Sequence, residues 1–140
     1  MSQTFRSIHI EAQETKEDYR DPRTSPILGA AIEVHRCLGP GLLESAYEEC
    51  LCHEFCLRKL NFQRQVDLPV DYKGLKLNCG YKIDLIVQDE VVLELKAVEK
   101  LLPIHQAQLL TYLKLAHKTV GLLINFNVPQ LTQGIIRRVL

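Results

Sequence analysis

Two short runs near the middle of the chain constrain its fold most tightly. In Gly80 to Val87 the odd positions Tyr81, Ile83, Leu85 and Val87 are all apolar. In Val91 to Val98 the odd positions Val91, Leu93, Leu95 and Ala97 are apolar too. A strand turns successive side chains to opposite faces, so both runs read as β-strands sharing one apolar face, joined through Gln88-Asp89-Glu90. Keeping those faces together sets Val87 against Val91, because a slip of one residue would send one set to the other side. Counting outward then places Asp84 directly opposite Glu94, with Lys96 on the same face as Glu94.

Opposed like charges destabilise a sheet. At about 4 Å and an effective dielectric of about 20 the repulsion is about 4 kcal/mol before relaxation. A divalent cation between the carboxylates reverses the sign of that interaction. Hard carboxylate oxygens suit magnesium, and a lysine one pleat away can orient or deprotonate an attacking water. The spacing Asp84-x9-Glu94-Leu95-Lys96 therefore suits a magnesium-dependent phosphodiesterase. The competing interpretation is a solvated sheet face on which Lys82, Asp84, Glu94 and Lys96 form exposed cross-strand ion pairs.

The flanking segments frame this hairpin. Residues 1–25 are polar and read as an N-terminal arm. Ser25-Pro26 reads as an N-cap followed by proline at the first helical position. Ile27, Leu28, Ala31, Ile32 and His35 then recur at helical spacing to about Cys37, and Gly39-Pro40-Gly41 ends that helix. A second helix is expected over Leu43 to Lys59, with Leu43, Ala46, Tyr47, Cys50 and Leu51 inward. Phe62 to Leu68 and Val70 to Tyr72 are extended around Pro69, and a tight turn at Lys73-Gly74 leads to Lys76 to Cys79. Pro103 opens a third helix to about His117. Thr119 to Phe126 reads as a buried strand, and Gly134 to Leu140 as a last short strand or helix. At 140 residues the chain fits one domain, residues 26–140, of the α/β (α+β) class, with a mixed sheet flanked by helices.

Composition narrows the function classes. The 17 basic and 17 acidic residues cancel, which excludes a strongly basic nucleic-acid coat protein. No apolar run reaches the roughly 18 residues of a membrane span, and the N-terminus lacks a signal-like apolar stretch. Five cysteines are an odd number without disulfide-framework spacing, and Cys50-x-Cys52-His53-x-x-Cys56 does not match paired-knuckle zinc sites. They read as reduced, packed thiols in a soluble cytoplasmic protein.

Two helices offer further polar groups. Gly41, Glu44 and Tyr47 form one stripe with Leu51, which brings Glu44 beside the buried face as a third carboxylate; an ordinary acidic residue near a helix N-terminus has the same appearance. In the third helix His105, Gln108 and Tyr112 share a face. The Gln108 amide and Tyr112 hydroxyl could touch a phosphate or its attacking water, or simply mark the edge of a leucine-rich core.

Gly41-Leu42-Leu43-Glu44-Ser45-Ala46-Tyr47 resembles the signature of the GxxExxY protein family, a branch of the PD-(D/E)XK nuclease superfamily. The resemblance continues through Gly80-Tyr81-Lys82-Ile83-Asp84-Leu85, Val92-Leu93-Glu94-Leu95-Lys96-Ala97, Gln108-Leu109-Leu110-Thr111-Tyr112 and Gly121-Leu122-Leu123-Ile124-Asn125-Phe126. It spans roughly residues 26–140. The resemblance implies a restriction-endonuclease-like core, Mg²⁺ (or Mn²⁺), and phosphodiester cleavage in DNA or RNA. The superfamily's acidic motif falls on Asp84 and its Glu-x-Lys on Glu94 and Lys96, with its helical glutamate on Glu44. Gln108 and Tyr112 match the Gln-x-x-x-Tyr pattern of its helicase-associated exonuclease branch. Ile83 stands where the superfamily's name has proline. The resulting expectation assigns Glu44, Asp84 and Glu94 to the metal, helped by the Leu95 carbonyl. Asp84, Glu94 and Lys96 carry the chemistry, and Gln108 and Tyr112 support the site or contact substrate. The alternative is a non-enzymatic module that keeps the fold and binds nucleic acid or protein, favoured by zero net charge and few aromatic residues.

Overall fold

A computed structural model of the chain describes residues 20–140; the arm expected over 1–25 lies outside the described residues up to position 19. The helices are α1 (Ser25–Leu38), α2 (Glu44–Leu57) and α3 (Pro103–Ala116). The strands are β1 (Phe62–Asp67), β2 (Val70–Tyr72), β3 (Leu75–Leu77), β4 (Lys82–Val87), β5 (Val91–Lys96), β6 (Val120–Asn125) and β7 (Ile135–Val139). A 3₁₀ turn, Leu131–Gly134, precedes β7 and settles the final segment as a strand. Helix α1 starts one residue before the position expected from Ser25-Pro26: Thr24 occupies the N-cap without a side-chain cap bond, and the proline follows inside the first turn.

Five strands form one mixed sheet in the order β1-β4-β5-β6-β7, and β2-β3 make a separate ribbon. The parallel pair β5-β6 is joined through α3, as a parallel connection requires. Both faces of the sheet are covered. Ile27, Leu28, Tyr47, Leu51 and Phe55 from α1 and α2 pack on Leu85, Leu93, Leu95, Leu122 and Ile124. Leu109, Tyr112 and Leu113 of α3 pack on Ile86, Val92, Leu123 and Ile136 opposite. All six residues of β6 are buried, as its unbroken apolar run anticipates. Gly134 has a packing reason to be glycine: an added Cβ would collide with the Asn125 carbonyl oxygen.

Helix α2 departs from the expected inner stripe. Leu43 precedes the helix and is 77% exposed, while Glu48, Cys52 and Phe55 join Tyr47 and Leu51 on the buried side. The thiols divide as well. Cys52 is buried, and burial pushes it up to about 11; Cys50 is half-buried, but Cys37, Cys56 and Cys79 are exposed. Packing therefore accounts for the first two cysteines and not the other three. Among the described residues no helix is long and apolar enough to cross a membrane.

Candidate active site

The β4–β5 ladder runs Val87↔Val91, Ile86↔Val92 and Leu85↔Leu93, the register set by the apolar faces. It stops there. Strand β5 stays paired with β6 as far as Lys96↔Asn125, and β4 stays with β1 as far as Lys82↔Asp67. The sheet thus forks between Asp84 and Glu94, and side chains fill the fork. The Asp84 backbone N–H donates to Glu94 Oε2 at 3.0 Å, and the Leu95 backbone N–H donates to Asp84 Oδ2 at 2.8 Å. Each carboxylate thus accepts a backbone N–H of the other strand where the ladder has ended.

A second departure from a regular sheet faces the first. The β1–β4 ladder pairs Arg64 with Leu85 and Val66 with Ile83 but omits Gln65 and Asp84. Gln65 has φ of 49°, a left-handed conformation that costs roughly 1–2 kcal/mol in a residue with a Cβ. Across this point β4 changes faces. Leu85 and Val87 lie in the core under α1 and α2, whereas Ile83 lies in the core under α3. The expected single apolar face over Tyr81, Ile83, Leu85 and Val87 is corrected accordingly: twisting at Asp84 breaks strict alternation. Tyr81 is exposed.

The surroundings of the fork are acidic and partly dry. Glu94 is 5% exposed, which rules out the solvated ion-pair face as its setting. Burial, then the neighbouring Asp84 charge, pushes the Glu94 carboxyl up to about 8. Asp84 is half-buried and is raised mainly by desolvation, with the Leu95 N–H opposing. Glu44 stands at the exposed rim at the start of α2; it too is raised, by the protein around it and by Asp84. The field of Lys96 favours the ionised form of all three carboxylates and opposes protonation of His105. Among the described residues, however, the Lys96 ammonium makes no ion pair or hydrogen bond.

Glu48 and Gln65 join this group, although the sequence reading did not select them. Glu48 is buried one turn after Glu44, receives Arg64 at 2.9 Å on Oε2, and receives the Gln65 amide at 2.9 Å on Oε1. The Gln65 side chain also lowers Asp84 by hydrogen bonding, and the Glu48 charge raises it. Glu48 was detectable in principle, because Glu44, Glu48, Leu51 and Phe55 lie on one helical stripe. Nothing in the local sequence marks Gln65.

Tyr47 has a structural task. Its hydroxyl donates to the Gly39 carbonyl at 2.6 Å and accepts the Leu42 N–H at 3.1 Å, and its ring stacks on Phe126 with centroids 4.6 Å apart. It thereby holds the loop leading to Glu44, in which Gly41 has φ of 99°. On α3 the Gln108 amide donates to the Tyr112 hydroxyl at 2.9 Å, and Tyr112 is largely buried beside Tyr81. No hydrogen bond joins either residue to Asp84, Glu94 or Lys96 among the described residues.

The donor set fits a hard divalent cation in charge and atom type. One oxygen of Asp84 and one of Glu94 stand outside the reciprocal lock, and the carboxylates carry more negative charge than Lys96 offsets. Among the described residues no three His, Cys, Asp or Glu side chains converge on a point that would hold a metal.

The family model of the PD-(D/E)XK nuclease superfamily matches residues 21–139. The chain belongs to the PD-(D/E)XK nuclease superfamily. No curated protein and no solved structure matches it. The match begins at Asp21, whose carboxylate binds Arg23 and, at 2.9 Å, Arg137 of β7.

Proposed function

We propose that this chain is a divalent-metal-dependent nuclease that hydrolyses phosphodiester bonds of DNA or RNA, with Mg²⁺ or Mn²⁺ as its ion. The observation that carries the reading is the fork: two interlocked carboxylates, one almost fully buried and raised to about 8, beside a lysine with no ion pair or hydrogen bond among the described residues. Like charges buried together are costly unless something positive joins them. Superfamily membership supports nuclease chemistry, and the Gly41-x-x-Glu44-x-x-Tyr47 motif resembles the GxxExxY branch.

In this reading Asp84 and Glu94 hold the ion, with Glu44 completing its shell from the rim and the Leu95 carbonyl assisting. A bound ion would supply Lewis-acid stabilisation of a phosphate oxygen and lower the pKa of a coordinated water. Lys96, without an ion pair among the described residues, orients the attacking water and stabilises charge developing on the phosphate. Gln65 and Glu48 fix the Asp84 carboxylate, and Tyr47 fixes the approach to Glu44. Gln108 and Tyr112 support the site or contact substrate: the bond between them leaves the Gln108 carbonyl oxygen and the Tyr112 hydroxyl proton uncommitted.

Incubating the protein with labelled single-stranded and duplex DNA and RNA, with Mg²⁺ or Mn²⁺, tests the proposal. Cleavage by the wild type, abolished by EDTA and by Lys96→Ala or Glu94→Gln, is expected. Binding without cleavage of any of these substrates would favour the non-enzymatic module instead.

A further inference from the structure

We propose that the β2–β3 ribbon is an arm that grips the nucleic-acid strand beside the cleavage site; this rests on the nuclease reading and adds a substrate-binding surface to it. The ribbon leaves the main sheet at the same end as the fork. Its root is the Leu68 N–H bonded to the Tyr81 carbonyl at 2.9 Å, next to the Asp67–Lys82 pair that ends the β1–β4 ladder. Asp84 lies two residues from Lys82. Five residues from Leu68 to the turn at Lys73-Gly74 give an arm of about 16 Å at about 3.3 Å per residue.

The ribbon's two faces differ in chemistry. Val70↔Leu77 and Tyr72↔Leu75 are cross-strand pairs, so these four apolar side chains share one face. Tyr72 is 61% and Leu75 58% exposed, and none of the four belongs to either buried core. Single exposed apolar residues are ordinary, but a strand pair that exposes Tyr72, Leu75 and Leu77 together on one face, with Val70 half-buried, calls for an occupant.

Charge decides which occupant. Asp67 is paired with Lys82, and Asp71, which accepts the Gly74 N–H at 3.1 Å, lies across from Lys76 on the ribbon's other face. Lys73 lies with Nζ 5.3 Å from the Tyr72 ring centroid, and neither Lys73 nor Lys76 has a carboxylate partner among the described residues. Lys73 and Lys76 against Asp71 leave the ribbon one net positive charge, and Lys73 sets its ammonium beside the apolar, aromatic face. A single nucleic-acid strand matches both features, with bases against Tyr72 and Leu75 and phosphates against the lysines.

Fluorescence anisotropy of a labelled 20-nucleotide single-stranded DNA, in EDTA to keep cleavage silent, tests the arm with the full chain. Lys73→Glu/Lys76→Glu should weaken binding about tenfold or more and flatten the log K against log salt slope by about 1.4. Tyr72→Ala/Leu75→Ala should weaken binding about tenfold with the slope unchanged. Lys59→Glu/Lys114→Glu, a charge change of equal size at the turn end of the sheet, should alter binding less than twofold. Circular-dichroism melts confirm that each variant is folded.

Wild-type affinity in both arm variants, an equal loss in the control, or no binding by the wild type would overturn the proposal. So would a dimer in sedimentation that Tyr72→Ala/Leu75→Ala dissociates while DNA binding persists, since the face would then be a contact between copies. Mg²⁺ titration of the same proteins separates this inference from the nuclease reading. Arm-dependent binding without any metal response leaves the arm standing and removes the catalysis, whereas a metal response with arm-independent binding does the reverse.

Discussion

At its turn end the β4–β5 hairpin pairs Val87 with Val91, Ile86 with Val92 and Leu85 with Leu93, every residue buried and apolar. At its open end, one residue further along each strand, Asp84 and Glu94 replace the ladder with side-chain acceptors. The sequence spacing is continuous through both halves, yet the physical demands are opposite. The turn end is stabilised by removing apolar surface from water, and any charge there would be lost stability. The open end keeps carboxylates close together and partly dry, tolerating repulsion that the turn end would not. Such a local conflict, bounded by a well-packed region, is where function is expected to reside.

The largest effect belongs to the turn end. Leu93→Ala should cost about 2–5 kcal/mol of stability, read as a lower urea midpoint, because a fully buried side chain leaves a cavity. It should leave any metal response of the surviving folded protein intact. A loss below about 1 kcal/mol would mean that this end is less tightly packed than described.

Glu94→Gln probes the open end, with the opposite sign. In the metal-free protein Glu94 is raised from 4.5 to about 8, so the folded state binds its proton more tightly than the unfolded chain. The stabilisation from that proton is complete below pH 4.5 and is lost as pH rises towards 8. Metal-free stability should fall across this window, by at most about 1.4 kcal/mol per pH unit for one proton. Denaturant melts of Glu94→Gln should show a flatter profile and higher stability at pH 8. An unchanged profile would mean that burial and the Asp84 charge do not raise Glu94 in the way described.

Gln65 separates strain from hydrogen bonding in the same region. Gln65→Ala keeps the left-handed backbone and loses the amide, whereas Gln65→Gly loses the amide but relieves φ. The glycine variant should be the more stable by about 1 kcal/mol, measured by urea unfolding. Equal stability would indicate that the backbone at this position relaxes without glycine.

The smallest effect uses a carboxylate of the contrary kind. Asp21 is held well below the usual carboxylate range, chiefly by hydrogen bonds from Arg23, with Arg137 assisting. Its contribution is fully present above the unfolded aspartate pKa and lost as pH falls through the folded one. Asp21→Asn should therefore lower the melting temperature slightly near neutral pH, and the gap from wild type should close in acid. A gap that widens in acid would contradict this assignment.

The sequence made some of this legible and hid the rest for identifiable reasons. Period-2 patterning and the Gln88-Asp89-Glu90 loop were enough to set the Val87↔Val91 register, and through it the neighbourhood of Asp84 and Glu94. The glycine-proline break and the apolar run of β6 likewise mark real boundaries. Strict alternation failed at Ile83, because the strand twists beside the left-handed Gln65, and a conformation of one residue leaves no periodic trace. Leu43 misled because hydrophobicity alone does not reveal that a residue precedes the helix and turns outward. Glu48 escaped notice because a charged residue on an apolar stripe reads as an error in the stripe until its partners Arg64 and Gln65, from another strand, are placed beside it.

The central claim, that the open end of this hairpin is a divalent-cation site, is tested most directly by isothermal titration of Mg²⁺ and Mn²⁺ into wild type and Glu94→Gln at pH 8. Saturable binding to the wild type, absent in folded Glu94→Gln, is the predicted result. Absence of binding to the folded wild type with either ion, or equal binding to both proteins, would contradict it.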